Sequence, residues 1–279
     1  AEAANITRAT VDEVYTQIHS DLSQAEQLVT NTNEETTTQA TIGAVKALEA
    51  RVYLYQGDWA NANAKADEVI GLGYELADDY ADLFDEEGID TPEDIFKVLY
   101  TAQQYQSVGY YLNSTDDGGK AELSPSDDLV AAYEPGDARF DWSIKDDGAG
   151  TISGVKFPTT AGAEDIHVIR FGEVLLIKAE ALAQLGDLAG AVATYNLLRV
   201  RAGLPVHHLG NQVTTQADVL AAIDHERRVE LAFEGDRWPD LVRTGRAAPV
   251  MGIAPFQTLY PIPQAEIDVV PGLVQNPGY

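Results

Sequence analysis

Three glutamates pose the first chemical question. Glu226, Glu230 and Glu234 recur four residues apart within the stretch 223–245, and a helix places all three on one face. Arg227 precedes Glu230 by three, and apolar Val229, Ala232 and Phe233 stand among the charges. One chemistry open to such a row is acid–base catalysis by carboxylates. The other is structural: arginine forks bind carboxylates in two-pronged fashion and tie one helix to the next. Such lattices shift proton affinities without reacting with anything.

Most catalytic patterns fail on spacing. His225-Glu226 begins like a zinc-protease helix, but Val229 stands where the second histidine belongs. Gly119-Lys120 resembles the end of a phosphate-binding loop, yet Ala121 replaces the required hydroxyl residue and Ser114 the first glycine. Gly71-Leu72-Gly73 lacks the third glycine of a dinucleotide loop, and the serine elbow of hydrolases is missing. His207-His208 is the best metal-like pair, but neighbours in a loop point apart and no third ligand lies nearby. Asp116-Asp117-Gly118 and Asp146-Asp147-Gly148 do not fit a calcium loop and read as solvated turns. A glycosidase needs two facing carboxylates, and 45 acidic residues give no basis for choosing a pair. The expectation is therefore no catalytic residue, no metal and no cofactor.

Aromatic residues suggest a different chemistry. Tyr105, Tyr110, Tyr111, Tyr133, Phe140 and Trp142 gather in a stretch rich in glycine and aspartate. Aromatic faces stack on the C–H face of a sugar ring, and nearby polar groups bond its hydroxyls. These six are the candidate ligand-binding residues; the plainer alternative is that they pack loops onto a core. Trp59 and Trp238 lie in amphipathic settings and read as core.

Composition bounds the rest. The chain has 279 residues and a formal charge of −27. That charge argues against a nucleic-acid or anionic-membrane surface and suits a salty medium that screens repulsion. With no cysteine, disulfides, thiolate metal sites and a cysteine nucleophile are excluded. Apolar runs are too short to span a bilayer. Residues 1–5 carry neither the basic nor the apolar region of an export signal.

The elements that must position these residues are mostly helices. Thr10-Val11-Asp12-Glu13 reads as a capping box before apolar residues at helical spacing. Residues 30–39 read as a loop. A second helix runs to Gly57, and Asp58 caps a third beginning at Trp59. Gly57-Asp58-Trp59-Ala60-Asn61-Ala62 matches Gly186-Asp187-Leu188-Ala189-Gly190-Ala191, each between alanine-rich helices, which is the mark of tetratricopeptide-like hairpins. Between the copies lies an irregular, aromatic, Gly- and Asp-rich insertion over 74–165, with a short strand or a buried turn of helix at 95–100 and a helix capped by Ser126. Helical pattern resumes at Val168. A long helix is expected over 215–234, ended by Gly235, with Asp236 capping the next. Prolines at 261 and 263 hold the tail extended. The expected fold is all-α, built of tetratricopeptide-like hairpins with long irregular loop insertions and little β structure.

Four blocks resemble the SusD/RagB family of outer-membrane nutrient-binding lipoproteins. They are residues 8–28; residues 44–84, with Arg51-Val52-Tyr53-Leu54-Tyr55; residues 170–204, opening Arg170-Phe171-Gly172-Glu173; and residues 226–243, with Glu234-Gly235-Asp236-Arg237-Trp238, together with the Pro261-Ile262-Pro263 and Gln275-Asn276-Pro277-Gly278-Tyr279 ending. The resemblance implies a non-catalytic protein of the Bacteroidetes cell surface. Such proteins capture oligosaccharides, or peptides in some members, for a SusC-like TonB-dependent transporter. Family members are longer and begin with a signal peptide and a lipidated cysteine, so 1–279 is expected to be one helical domain lacking its N-terminal part and its lipid anchor. Family ligand residues follow no fixed motif, and none transfers here by position. A carboxylate-dependent glycoside hydrolase and a general tetratricopeptide scaffold are the readings from other classes. On the family reading, Glu226, Arg227, Glu230 and Arg237 form a structural ion-pair network, with Arg199 or Arg201 as partners from the preceding hairpin.

Overall fold

The computed structural model describes residues 8–31, 37–84, 90–148, 150–270 and 272–279; part of the loop expected over 30–39 lies outside them. Contacts group the chain into two compact units, residues 25–234 and residues 1–24 with 235–279. Helix α1 (Val11–Leu28) starts with the expected box: the Thr10 amide donates to Glu13 Oε2 at 2.8 Å, and the Glu13 amide to Thr10 Oγ1 at 3.2 Å.

Within residues 25–234, helices α2 (Ile42–Gln56) and α3 (Trp59–Ile70) form the first hairpin. Its turn works because Gly57 takes φ +72°, which a side chain disfavours, and Asp58 then caps α3 through the Asn61 amide at 3.2 Å. Strand β1 (Asp94–Val98) follows, then the short helices α4 (Val108–Leu112), α5 (Asp127–Val130) and α6 (Phe140–Ser143), and the hairpin of β2 (Ile144–Asp146) with β3 (Ile152–Gly154). Strand β4 (Ile166–Arg170) pairs antiparallel with β1. The expectation that helix resumes at Val168 is corrected here: burial alternates along β4, and helix begins only at Phe171. Val168 and Ile169 are adjacent apolar residues that fit either period.

Helices α7 (Phe171–Leu185) and α8 (Leu188–Arg201) form the second hairpin. Its turn repeats the first: Asp58 lies at φ −84°, ψ 77° and Asp187 at φ −81°, ψ 75°. Helix α3 packs on α7, and α9 (Gln216–Glu230) closes against α7 and α8. Small side chains permit this approach. Ala50, Ala62 and Ala181 are fully buried with Leu54 and Ile177, and Ala179, Ala183 and Ala191 line the neighbouring cluster with Tyr195 and Leu198. Arg51 Nε reaches Glu173 Oε1 at 2.7 Å and so ties α2 to α7.

The long helix also ends earlier than expected. Helix α9 stops at Glu230, and Phe233 adopts φ +66° before Gly235 at φ +94°. A left-handed backbone at an aromatic residue is strained, by about 1–2 kcal/mol. It turns the chain so that Glu234 points back towards the end of its own helix.

In the other unit, α10 (Arg237–Arg243), α11 (Ala247–Met251) and α12 (Gln264–Val269) are short. Asp236 precedes α10 without making a side-chain cap, contrary to expectation. The tail is pinned by side-chain amides: Gln275 exchanges hydrogen bonds with both backbone groups of Ile262, at 2.8 and 2.9 Å, and Asn276 donates to the Tyr260 carbonyl at 2.6 Å. Among the described residues no helix is long and apolar enough to cross a membrane.

Candidate functional site

The glutamate row lies in the interior, among arginines. Glu226 accepts from Arg199 Nη1 at 2.6 Å through one oxygen and from Arg139 Nη1 at 2.9 Å through the other. Glu230 accepts from Arg170 at 2.6 Å, from Arg139 at 3.0 Å and from Arg201. Glu234 accepts from Lys156 at 2.5 Å and from two nitrogens of Arg170, both at 2.9 Å. Glu93 bridges Arg170 and Arg201, each at 2.6 Å, and Asp137 holds Arg139 at 2.8 and 2.9 Å.

The helix terminus explains part of this convergence. The last carbonyls of a helix lack intrahelical partners and carry its negative end. Here the Glu230 carbonyl accepts from Tyr80 Oη (2.9 Å), Lys156 Nζ (2.9 Å) and Arg170 Nη2 (2.8 Å). The Tyr80 and Phe84 rings lie against the same cations, with Lys156 Nζ 4.6 Å from the Phe84 centroid and the Arg201 guanidinium 5.0 Å from that of Tyr80.

Proton affinities follow from this packing. Burial pushes the Glu230 carboxyl up, but Arg201, Arg170 and Arg139 outweigh it and hold the group well below the carboxylate range. Burial likewise opposes ionisation of Glu234, and Arg170 and Lys156 pull it down to about 2. Lys156 moves the other way: burial lowers it to about 8 against the attraction of Glu234. Every oxygen of the three glutamates already accepts from a cation, so the row is built as an ion-pair lattice. Arg227 is buried in α9 and Arg237 opens α10. Cations meeting Glu226 and Glu230 include Arg139, Arg170, Arg199 and Arg201. Arg139 and Arg170 escaped sequence reasoning because they lie about 60–90 residues away from their partners, beyond any local pattern.

Among the described residues, one group of metal-type ligands gathers. Glu134, His225 and Glu226 bring one donor each within 4.8 Å of one another. Arg199 donates to both carboxylates at 2.6 Å, so a guanidinium already fills the place of a cation. His207 is engaged elsewhere, its Nδ1 3.0 Å from the Tyr195 hydroxyl.

The six aromatic candidates separate. Tyr133 and Phe140 meet edge to face at 5.5 Å in an apolar cluster with Ile144 and Val229. The Tyr133 hydroxyl donates to the Val229 carbonyl at 3.3 Å, and burial pushes its pKa up to about 12. Their outer edges line a concavity of about 440 Å³ with residues 134–138 and Asp141. Trp142 packs half-buried against Ala77, Tyr80, Leu83 and Phe84. Tyr105 stands 64% exposed in the loop before α4.

Tyr110 and Tyr111 are brought together on α4, rings 5.5 Å apart at 66° and partly exposed. Lys120 Nζ lies 5.4 Å from one ring centroid and 5.5 Å from the other. The backbone around them is fixed. Lys120 and Leu123 amides donate to the Tyr110 and Tyr111 carbonyls at 2.8 and 3.0 Å. Asn113 Nδ2 bonds the Gly109 and Phe157 carbonyls, both at 2.8 Å. Gly109 is required here, since a Cβ would stand 2.1 Å from the Thr159 carbonyl oxygen. The result is a preorganised aromatic corner with an ammonium donor beside it. Sequence reasoning passed over Lys120 except as part of a failed phosphate loop; the available signal was the rarity of lysine, seven in the whole chain.

Comparison with known proteins places the chain. A profile described as the SusD family matches residues 156–252 and 247–279, and one described as "Starch-binding associating with outer membrane" matches residues 1–54. SusD-like protein P38 of Formosa agariphila is 40% identical over 93 residues, covering 32% of this chain and 18% of the relative. Starch-binding protein SusD of Bacteroides thetaiotaomicron is 30% identical over 220 residues, covering 72% of this chain and 35% of the relative. The chain thus spans well under two thirds of the length of these two relatives. A solved laminarin-binding SusD-like protein is 29% identical with a TM-score of 0.80, covering 99% of this chain and 71% of that one. The all-α, tetratricopeptide-like architecture is that of these proteins, and the chain belongs to the SusD/RagB family.

Proposed function

We propose that this chain binds oligosaccharides at the outer membrane without catalysis and delivers them to a TonB-dependent transporter of the SusC type. The observation that carries the binding part is the Tyr110–Tyr111 corner, two rings at 66° fixed by backbone hydrogen bonds with Lys120 beside them. Preorganised aromatic faces stack on sugar rings with little ordering entropy left to lose. The named ligands of two relatives, starch and laminarin, favour a saccharide. The neutralised state of Glu226, Glu230 and Glu234 supports a non-catalytic role over the glycoside hydrolase reading. The SusC-type partner and the cell-surface location extend from the family.

Calorimetric titration with gluco-oligosaccharides tests the binding. Tyr110→Ala and Tyr111→Ala should each weaken it by about two- to twelvefold, since an aromatic contact contributes roughly 0.5–1.5 kcal/mol. Unchanged affinity in both variants would move the site away from α4. Binding of peptides and of no sugar would favour the peptide-capturing version. Recovery of the protein from native membranes with a TonB-dependent transporter tests the partner, and recovery with a soluble protein alone would favour a general scaffold.

A further inference from the structure

The tyrosine corner carries information about which class of glycan it accepts, and the argument rests on the saccharide-binding reading above. Seven lysines stand in the sequence. Five are already engaged by their surroundings. Lys46, Lys65, Lys97 and Lys178 pair with carboxylates on neighbouring elements, and Lys156 is fully buried. The remaining two, Lys120 and Lys145, keep 43% and 48% of their side chains exposed, and both belong to the segment that carries the corner.

Exposed ammonium groups beside an aromatic site could bind a uronate or a sulfate ester. The partners of these two decide otherwise. Lys145 is clamped by both oxygens of Asp117, at 2.6 and 2.8 Å. Asp117 is in turn bonded to the Ser114 hydroxyl at 2.7 Å, and the Lys145 contact holds its carboxyl below the usual range. Lys120 has the Glu122 carboxylate 3.6 Å from its ammonium. Each cation therefore has a carboxylate beside it, and Asp116 and Asp127 add exposed charge on the same segment, while the exposed Asp128 pairs with Arg228 at 2.6 Å. Behind them stands a chain of net −27. A polyanionic saccharide would meet a repulsive field and find the ammonium at the corner, Lys120, already beside a carboxylate.

We infer that the Tyr110–Tyr111 corner selects uncharged glycans and rejects uronate and sulfated ones, with Lys120 acting as a hydrogen-bond donor to sugar hydroxyls. Asp117 and Glu122 are the residues that enforce the exclusion. They neutralise the two ammonium groups which would otherwise recruit anionic sugars.

Titration of the whole chain with neutral gluco-oligosaccharides, uronate oligomers and sulfated oligomers of equal length tests this. At 0.05 M NaCl the neutral series should bind at least tenfold more tightly than either anionic series. Lys120→Ala should weaken neutral binding severalfold, by an amount that does not change with salt. The double variant Asp117→Asn, Glu122→Gln should gain affinity for uronate oligomers, a gain that salt removes, while its affinity for neutral oligomers stays within twofold. Equal or tighter binding of an anionic series by the unaltered protein at low salt would overturn the selection. No gain in the double variant would overturn the assigned roles of Asp117 and Glu122. Failure of every saccharide to bind would instead remove the saccharide-binding reading itself.

Discussion

At the scale of single residues, Arg170 is the joint on which the charged interior turns. Its guanidinium contacts Glu93, Glu230, Glu234 and the Glu230 carbonyl, and it is fully buried. Arginine suits the place because its five donors spread over a rigid plane; a lysine offers three donors from a single point and could not span all of these partners. Arg170→Met should lower stability by about 3–5 kcal/mol, because the buried glutamates lose a partner and keep their desolvation penalty. Chemical denaturation reads this as a lower midpoint with an unchanged slope. A loss within about 0.5 kcal/mol, the level of ordinary surface substitutions, would show the network to be dispensable.

At the scale of elements, the two hairpins rest on alanine. Ala181 of α7 is fully buried with Ala62 of α3. Ala181→Leu should cost about 1–3 kcal/mol through overpacking, seen as a fall in melting temperature. An unchanged melting temperature would mean the helices can move apart freely. These hairpins were legible in the sequence because all their determinants are local: apolar period, Gly57 and Gly186 at the turns, Asp58 and Asp187 as caps. The β1–β4 pairing was only half legible, since a strand near Ile95 shows no sign of its partner at Ile166–Arg170. The end of α9 was misplaced for a similar reason. Phe233 bears no mark of a helix terminator, and what holds its strained backbone is distant packing, with its ring close to Gly154 and the ion pairs of Glu230 and Glu234 on either side. The tyrosines of the insertion were visible as a group, whereas their division between the interior and the corner depended on contacts across the insertion, such as Asn113 with the Phe157 carbonyl.

At the scale of the whole molecule, two electrostatic effects oppose each other as pH falls. Neutralising part of the −27 charge relieves self-repulsion. The buried carboxylates act in the other direction. Glu234 has a folded pKa of about 2, below its ordinary value of 4.5, and Glu230 is also depressed. Their contribution is complete above the unfolded value and is lost as pH falls towards the folded one; for Glu234 alone it is on the order of 3 kcal/mol. Stability should therefore hold or rise from neutrality to about pH 5 and then fall steeply between roughly pH 4.5 and 2. Lys156, lowered to about 8, adds stability as pH climbs from about 8 towards its ordinary 10.5. At neutral pH, raising salt from about 0.1 to 1 M shrinks the screening length from roughly 10 to 3 Å and should raise the melting temperature. A melting temperature that rises steadily from pH 5 to 2 would show that surface repulsion, not the interior, governs stability.

The placement of lysines has a practical consequence for anyone attaching this protein to a surface. Amine-reactive linkers attack accessible amines in their deprotonated form, and the two most accessible lysine side chains described above are Lys120, beside the tyrosine rings, and Lys145, in the same insertion. Random coupling to a sensor chip would anchor many molecules by the very region under study and convert their ammonium groups to amides. The chain has no cysteine, so a thiol introduced at an exposed position outside that insertion, such as Thr214 on the loop before α9, would be a unique handle.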